Sequence, residues 1–414
     1  TRTYGSMGGA IILSLYPIIC NILEVDSMNI LVISAEYPPF SVGGIALHTH
    51  EVNKSLVKEG NVIWTLTFHG DRNADSINTT VEDGINVIRI PRPSSTINES
   101  YEDKFINQNE QMKIGIHYLM DHIFCDFNMV VLHGYFLGIC GMYACEKMSI
   151  PFVYHAHTLL SDAQLHDNVK ISETERELYS KATYVIAVSG FLKTEILKRY
   201  SIDTRRIKVI TKGVELKKYD KYENKTNDTY FKILYTGRIS REKGFETLLN
   251  AISLSVKKHK NILVFAVGLF SDEVYRKEII AMIRDKGLQK NIVFLGFKED
   301  DKVIREYKSS NISVVPSFAE TFGKVAIESM AARVPVIVAN IGGLGPIVKD
   351  GETGLKFKCG DEEDLSNKIN LLYEYPCLCK KIADSAYMEV VKKYQWKDIF
   401  KLTLDIYQKV CEII

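Results

Sequence analysis

Two carboxylates eight residues apart, Glu320 and Glu328, lie in the run Ser317-Phe-Ala-Glu-Thr-Phe-Gly-Lys-Val-Ala-Ile-Glu-Ser-Met-Ala-Ala-Arg-Val-Pro-Val-Ile-Val. A turn containing Thr321, Phe322 and Gly323 separates Glu320 from a short helix expected to start near Lys324. Glu328 falls about one turn into that helix, and a β-branched run from Val334 to Val338, broken by Pro335, follows directly. One acid therefore sits on a strand-to-helix loop and the other on the helix behind it. Backbone N–H groups of Phe322, Gly323 and Lys324 fall between them. A helix N-terminus attracts anions and a carboxylate accepts hydrogen bonds from hydroxyls, so the pair suits a ligand carrying both phosphates and hydroxyls, such as a nucleotide sugar. On spacing alone, a buried α/β connection with two solvated acids is the favoured reading.

Two cations upstream change that balance. Arg238 and Lys243 lie in Tyr235-Thr-Gly-Arg-Ile-Ser-Arg-Glu-Lys-Gly-Phe-Glu-Thr-Leu-Leu. The apolar strand 231–236 ends at Gly237, and Gly244 opens an amphipathic helix. A guanidinium and an ammonium on one strand-to-helix loop can clamp a diphosphate.

Gly237-Arg238 with Lys243-Gly244, then Glu320-x7-Glu328, then Pro335-Val-Ile-Val and Gly342-Gly343 before Asp350-Gly-Glu-Thr-Gly-Leu, resemble the donor site of the retaining glycosyltransferases of family 4. The resemblance runs from about Met28 to the C-terminus and is stronger in the second half. It implies an α/β fold of the GT-B type: two Rossmann-like domains with parallel sheets facing across a cleft, and a C-terminal helix crossing back to the first domain. It implies a hexosyltransferase-type enzyme that moves a sugar from a nucleotide-diphosphate sugar to a hydroxyl acceptor (a glycan, a lipid-linked or a small molecule). Arg238 and Lys243 would then neutralise the diphosphate, Glu320 would meet the sugar hydroxyls and Glu328 the ribose. No cofactor and no metal are expected. No Asp-x-Asp cluster sits on a strand-end loop, and the Asp300-Asp301 pair is expected to cap a helix.

In the first half, Glu36-Tyr-Pro-Pro-Phe-Ser-Val-Gly43-Gly44-Ile-Ala-Leu-His48 follows the first strand. Paired glycines at a helix start let backbone approach a ligand closely, and the resemblance places the leaving diphosphate and the acceptor at this loop. His157, in Pro151-Phe-Val-Tyr-His-Ala-His-Thr, matches the family's sugar-contacting histidine. His155 is expected on the opposite face, and His133, at the end of another strand, is a weaker candidate for the acceptor side. A GxGxxG fingerprint is absent, which lowers the case for a nicotinamide dinucleotide.

Several positions depart from the family pattern. Lys212 stands where Asn is common, Glu215 where Asp is, Arg333 where Gly is and Pro346 where Glu is. Ser41 stands where glycogen and starch synthases carry Lys, which argues against a glycogen synthase. A sugar-nucleotide epimerase of the same fold and a non-catalytic nucleotide-sugar-binding protein remain as alternatives. The first lacks an evident acid–base pair outside these motifs. The intact Arg238, Lys243, Glu320 and Glu328 speak against the second.

Strand-like and helix-like segments alternate from Met28 onward, which implies parallel sheets covered by helices. Strands are expected at 29–34, 61–67, 85–90, 128–132, 151–155, 183–187 and 206–210, then at 231–236, 262–267, 292–295, 312–315 and 335–338. Residues 28–215 and 231–394 form the two expected domains. A polar linker spans 216–230, and 395–414 return to the first domain. Residues 362–414 read as helical throughout. Residues 1–27 read as a tag or extension outside the fold.

With 414 residues, 46% of them apolar, the chain can build two cores. A formal net charge of +1 gives no field to draw nucleic acid. Eight scattered cysteines without a CxxC pair fit a reduced, cytoplasmic protein. The sequons at Asn78, Asn98, Asn224 and Asn227 are the counter-indication. Basic residues from Lys193 to Lys218 form a solvated face or, as a minority reading, a peripheral contact with an anionic membrane surface. Oligomeric state is not legible.

Overall fold

The structure is a computed structural model that describes residues 27–40, 44–71, 73–94, 99–159, 169–226 and 229–412. The expected extension at 1–27 thus lies almost wholly outside the described residues, as does Gly43. The chain forms two compact units. The first comprises the described residues up to Ala187 with Glu195–Val209 and Phe400 onward, and the second comprises Val188–Thr194 and Ile210–Ile399.

The first unit is built on eight strands: β1 (Asn29–Ile33), β2 (Val62–Phe68), β3 (Asn78–Glu82), β4 (Ile85–Ile90), β5 (Met129–His133), β6 (Phe152–Ala156), β7 (Tyr184–Ala187) and β8 (Ile207–Val209). Their order is β3-β4-β2-β1-β5-β6-β7-β8. All neighbours are parallel except β3, which pairs antiparallel with β4. Parallel strands are covered on both faces and so read as unbroken apolar runs. Ile30, Leu31, Val32 and Ile33 are all fully buried. The edge strand β3 is polar and is held differently: the buried Arg89 guanidinium donates to both Glu82 oxygens, at 2.5 and 2.9 Å. That cation holds the Glu82 carboxyl below its usual range.

The second unit has six parallel strands: β9 (Phe231–Thr236), β10 (Ile262–Val267), β11 (Ile292–Gly296), β12 (Ile312–Val315), β13 (Val336–Ala339) and β14 (Leu355–Phe357). The order β11-β10-β9-β12-β13-β14 reverses direction between β9 and β12. Crevices at such reversals, beyond the strand carboxyl ends, are where doubly wound sheets bind ligands. The core joins Ile233, Val264, Val314 and Ile337 from the strands to Phe245, Leu249 and Ile369 from the helices.

One local expectation, the Asp300-Asp301 cap, is corrected, and two other segments gain detail. The stretch 216–226 belongs to the second unit. Leu216–Asp220 is helical with Tyr219 buried, and the Asn224 amide donates to the Ala332 carbonyl at 3.1 Å, so polar composition here marks an anchored surface segment. Asp300 and Asp301 occupy the first turn of the helix Asp300–Lys308, whose cap position is Glu299. There they favour the helix through its dipole. Residues 362–411 form three helices, Glu362–Glu374, Pro376–Lys393 and Trp396–Cys411. Pro376 cannot donate a backbone hydrogen bond and starts the second of them.

Among the described residues no helix is long and apolar enough to cross a membrane. The basic run divides between the units, and much of it is internally neutralised. Lys198 and Arg199 both pair with Glu195, Arg205 with Asp203, and Lys218 with Glu215.

Candidate active site

The loops leaving β9 and β12 bring the site of the second unit together. β9 ends at Gly237, whose φ of 134° turns the chain out of the sheet. Arg238 follows, exposed, with its carbonyl accepting from the Tyr235 hydroxyl at 2.7 Å. A 3-10 turn, Arg241–Lys243, then leads to Gly244 and the helix Phe245–Lys258. Gly244 has φ 67°, and a Cβ there would lie 2.0 Å from the Pro316 carbonyl oxygen. Both its conformation and this close approach require glycine. The Phe318 N–H donates to the Glu242 carbonyl at 2.8 Å, so the two loops are clasped through backbone. The clasp sets Lys243 Nζ 2.9 Å from Glu320 Oε2, both side chains partly shielded from solvent.

Gly342 and Gly343 hold the Glu320 loop from the other side. The Gly343 N–H donates to the Glu320 carbonyl at 2.7 Å. A Cβ on Gly342 would lie 2.3 Å from that carbonyl oxygen, and one on Gly343 2.3 Å from the Thr321 oxygen. The helix Lys324–Ala331 starts after Gly323, whose φ is 104°. Phe322 is buried and anchors the turn. One turn on, Glu328 forms an i,i+4 ion pair with Lys324. The Tyr307 hydroxyl bridges Thr236 Oγ1, at 2.7 Å, and the Val325 carbonyl, at 3.3 Å, tying the end of β9 to this helix.

Lys212 belongs to the same cluster, although its sequence position marked it only as a departure. The segment carrying it is fixed by backbone hydrogen bonds from Val214 N to Tyr394 O, at 2.9 Å, and from Trp396 N to Val214 O, at 3.1 Å. Gly213 packs so closely on Trp396 that a Cβ would lie 2.9 Å from its Cα. The Lys212 ammonium is pushed down to about 8, first by desolvation and then by the Lys324 and Lys243 charges, against the opposing pull of Glu320 and Glu328. Four cations, Arg238, Lys243, Lys324 and Lys212, thus accompany two carboxylates.

Gly44 and His157 belong to the first unit. Gly44 begins the helix Gly44–Lys58 directly after the β1 loop. His157, just past β6, is buried, and its Nε2 lies 3.2 Å from His133 Nδ1. The expectation that His155 faces away from His157 is corrected. Their rings stack 6.3 Å apart, since a period of two puts residues two apart on one face.

Residues 217–389 match the model of the family "Glycosyl transferases group 1", and residues 42–218 match that of "Glycosyltransferase Family 4". An uncharacterized glycosyltransferase of Methanocaldococcus jannaschii is 29% identical over 408 residues, covering 94% of this chain and all of the relative. Sucrose-phosphate synthase from Thermosynechococcus elongatus superposes with a TM-score of 0.80 at 22% identity, over 94% of this chain and 100% of that one. The Anabaena protein HepE, solved with UDP and glucose, superposes with a TM-score of 0.75 at 19% identity, over 92% and 100% of the two chains. These likenesses give two Rossmann-like units of the GT-B type, and the paired family matches cover nearly the whole described chain from residue 42 to 389. The chain belongs to the group 1 glycosyltransferases of family 4.

Proposed function

We propose that the protein transfers a sugar from a nucleoside-diphosphate sugar to a hydroxyl acceptor with retention of configuration, and that its second unit binds the donor. The observation that carries this reading is the Lys243–Glu320 pair at the β9/β12 reversal, with Arg238 on the same loop and Glu328 one helical turn behind. The binding of UDP and glucose by HepE, a protein of the same fold, supports the donor class.

In this mechanism the bond from the sugar's anomeric carbon to the diphosphate oxygen breaks while the acceptor oxygen bonds to that carbon on the same face. The acceptor proton passes to the departing phosphate, so no side-chain base is needed. Arg238, Lys243 and Lys212 neutralise the negative charge that grows on the phosphate. Lys243 turns from Glu320 to the diphosphate as the donor enters, and Glu320 becomes available to the sugar hydroxyls and the positive charge developing at the ring. Glu328 accepts hydrogen bonds from the ribose hydroxyls. Because cationic side chains balance the diphosphate, turnover proceeds without Mg²⁺ or Mn²⁺.

Incubation with a panel of labelled nucleotide sugars tests the reading. Slow hydrolysis of one donor, releasing the anomer of retained configuration, is expected. Interconversion of donor epimers, or tight binding without any turnover, would replace this reading with an epimerase or a binding protein. Activity abolished by EDTA and restored by Mg²⁺ or Mn²⁺ would contradict the metal-free clamp.

A further inference from the structure

We propose that His48, His133 and His155 of the first unit form a binding site for a divalent transition-metal cation of the zinc type. The sheet order brings the three together. β1 lies beside β5 and β5 beside β6, and His133 is the register partner of His155. His48 comes from the helix that follows β1. One ring nitrogen from each residue lies within 4.8 Å of the other two, and all three side chains are buried. The cluster stands at the direction reversal of its sheet, between β1 and β5, so it occupies a position where doubly wound folds place ligands.

The hydrogen bonds around the cluster assign the ligand atoms. His155 Nε2 is 2.8 Å from the Tyr407 hydroxyl, while its buried Nδ1 has no hydrogen-bond partner. Nδ1 is therefore the coordinating atom. His133 Nδ1 lies 3.2 Å from His157 Nε2, so Nε2 is the ligand atom assigned to His133. Metal ligation needs the neutral form of each ring. Imidazole donors with no carboxylate or thiolate favour Zn²⁺, Ni²⁺, Cu²⁺ or Co²⁺ over Mg²⁺. Three imidazole ligands leave an open fourth position for water or an anion.

Binding changes the geometry in a defined way. The His133 and His155 rings now stack, centroids 4.3 Å apart with planes at 28°, and His48 approaches both at steeper angles. A zinc ion holds nitrogens at about 2.0–2.1 Å in a tetrahedral array. The ring nitrogens must therefore close on one another, and rotation about the Cβ–Cγ bonds opens the stack. Coordination at His133 Nε2 makes Nδ1 a donor to His157 Nε2 and so fixes the His157 proton on its own Nδ1. The metal would thus set the tautomer of His157.

Tag-free full-length protein stripped with EDTA is titrated with Zn²⁺, Mg²⁺ and Co²⁺ by calorimetry and visible absorption. One Zn²⁺ or Co²⁺ per chain, the intense visible bands of four-coordinate Co²⁺ and no Mg²⁺ binding are the expected result. His48→Ala and His155→Gln should each weaken Zn²⁺ binding by about 100-fold or more and abolish the Co²⁺ bands, since three ligands define the site. His157→Ala should keep the bands and weaken binding by about 10-fold, as loss of an outer partner does. Far-ultraviolet circular dichroism of each stripped variant checks that it is folded. His48, the most peripheral of the three, serves if His155→Gln unfolds. Absence of binding to the wild type, or binding and bands unchanged in folded His48→Ala, would overturn the site and leave a stack of neutral imidazoles. Neither outcome refutes the diphosphate clamp, which is assigned to Arg238, Lys243 and Lys212 of the second unit.

Discussion

Lys243 and Glu320 neutralise each other, so each substitution there has two effects. Lys243→Ala removes a diphosphate contact and also leaves Glu320 as an uncompensated negative charge near the phosphates. Charge-assisted contacts contribute about 1.5–3 kcal/mol each, or roughly 10- to 150-fold. Lys243→Ala is expected to exceed that range in kcat/KM and Arg238→Ala, at an exposed residue, to fall within it. Steady-state kinetics on folded variants measure both, and a double alanine variant with near wild-type turnover would refute the clamp. The two glutamates should fail differently. Glu328→Gln removes ribose contacts made equally before and during reaction, and so raises the donor KM. Glu320→Gln lowers kcat and, by freeing Lys243, leaves nucleoside-diphosphate affinity unchanged or tighter. Calorimetry that finds nucleotide binding lost in Glu320→Gln and kept in Glu328→Gln would reverse the assignment.

Lys212 gives the site a pH signature. Its folded pKa is depressed to about 8 from 10.5. Below pH 8 the group is protonated in both folded and unfolded chains, and the cost of holding the charge among other cations is fully present. Between pH 8 and 10.5 the unfolded chain binds more protons, so this cost fades and stability rises. Diphosphate binding runs the other way, because the anion needs the ammonium. Nucleoside-diphosphate affinity should fall as pH rises through 8, with proton uptake on binding near that pH. Lys212→Met should abolish the uptake and raise the thermal midpoint at pH 7. Calorimetry in buffers of different ionisation enthalpy would detect the uptake, and its persistence in Lys212→Met would assign it elsewhere.

At the scale of elements, glycine packing places the charged groups. Gly244→Ala must move either the Lys243 turn or the Pro316 carbonyl, since its Cβ would stand 2.0 Å from that oxygen. The left-handed backbone adds strain, and the expected loss is about 1–3 kcal/mol of stability, with donor affinity lost beyond what the stability change explains. Thermal denaturation and nucleotide titration test it. A variant as stable as wild type with unchanged binding would show that the clasp does not position Lys243. Alanine at Gly287, also at φ 67° but with open space around its Cβ, supplies the control for backbone strain alone.

The elements differed in how legible they were. The parallel strands were plain, because burial on both faces demands continuous apolar runs such as Ile30–Ile33 and Val336–Ala339. β3 was missed because Asn78–Glu82 is polar and its pairing draws on Arg89 of the next strand rather than on any pattern within β3 itself. A local signal did exist: Asp83 and Gly84, both at positive φ, form the two-residue hairpin turn to β4. The helix Gly138–Met148 was hidden by Gly138 and Gly141, poor helix formers that are there for close packing against Thr174, Leu178 and Leu132. In the candidate site, Arg238, Lys243 and Glu320 were readable because they lie on loops between a strand end and a helix start, and Glu328 because it follows one turn into the next helix. Lys212 was not, because its reach to Glu320 depends on how the segment after β8 packs on Tyr394 and Trp396. The histidine cluster needed the strand order, which no spacing supplies.

At the scale of the whole molecule, neutralisation by side chains predicts an enzyme indifferent to hard cations, with the donor-dependent rate unchanged when Mg²⁺ or Mn²⁺ is added to EDTA-treated protein. The same scale shows a chain that leaves its first unit and returns. Tyr407, whose hydroxyl meets His155 Nε2 at 2.8 Å, lies 252 residues further along the sequence. During synthesis at about 5–20 residues per second, the buried imidazole waits on the order of 10–50 s for that hydroxyl. The whole of the second unit emerges from the ribosome in the interval. The unit begun first is therefore finished last, and a chain arrested before Phe400 would carry a complete second unit beside an unfinished first one, open to chaperones and proteases at the face that the last helix covers.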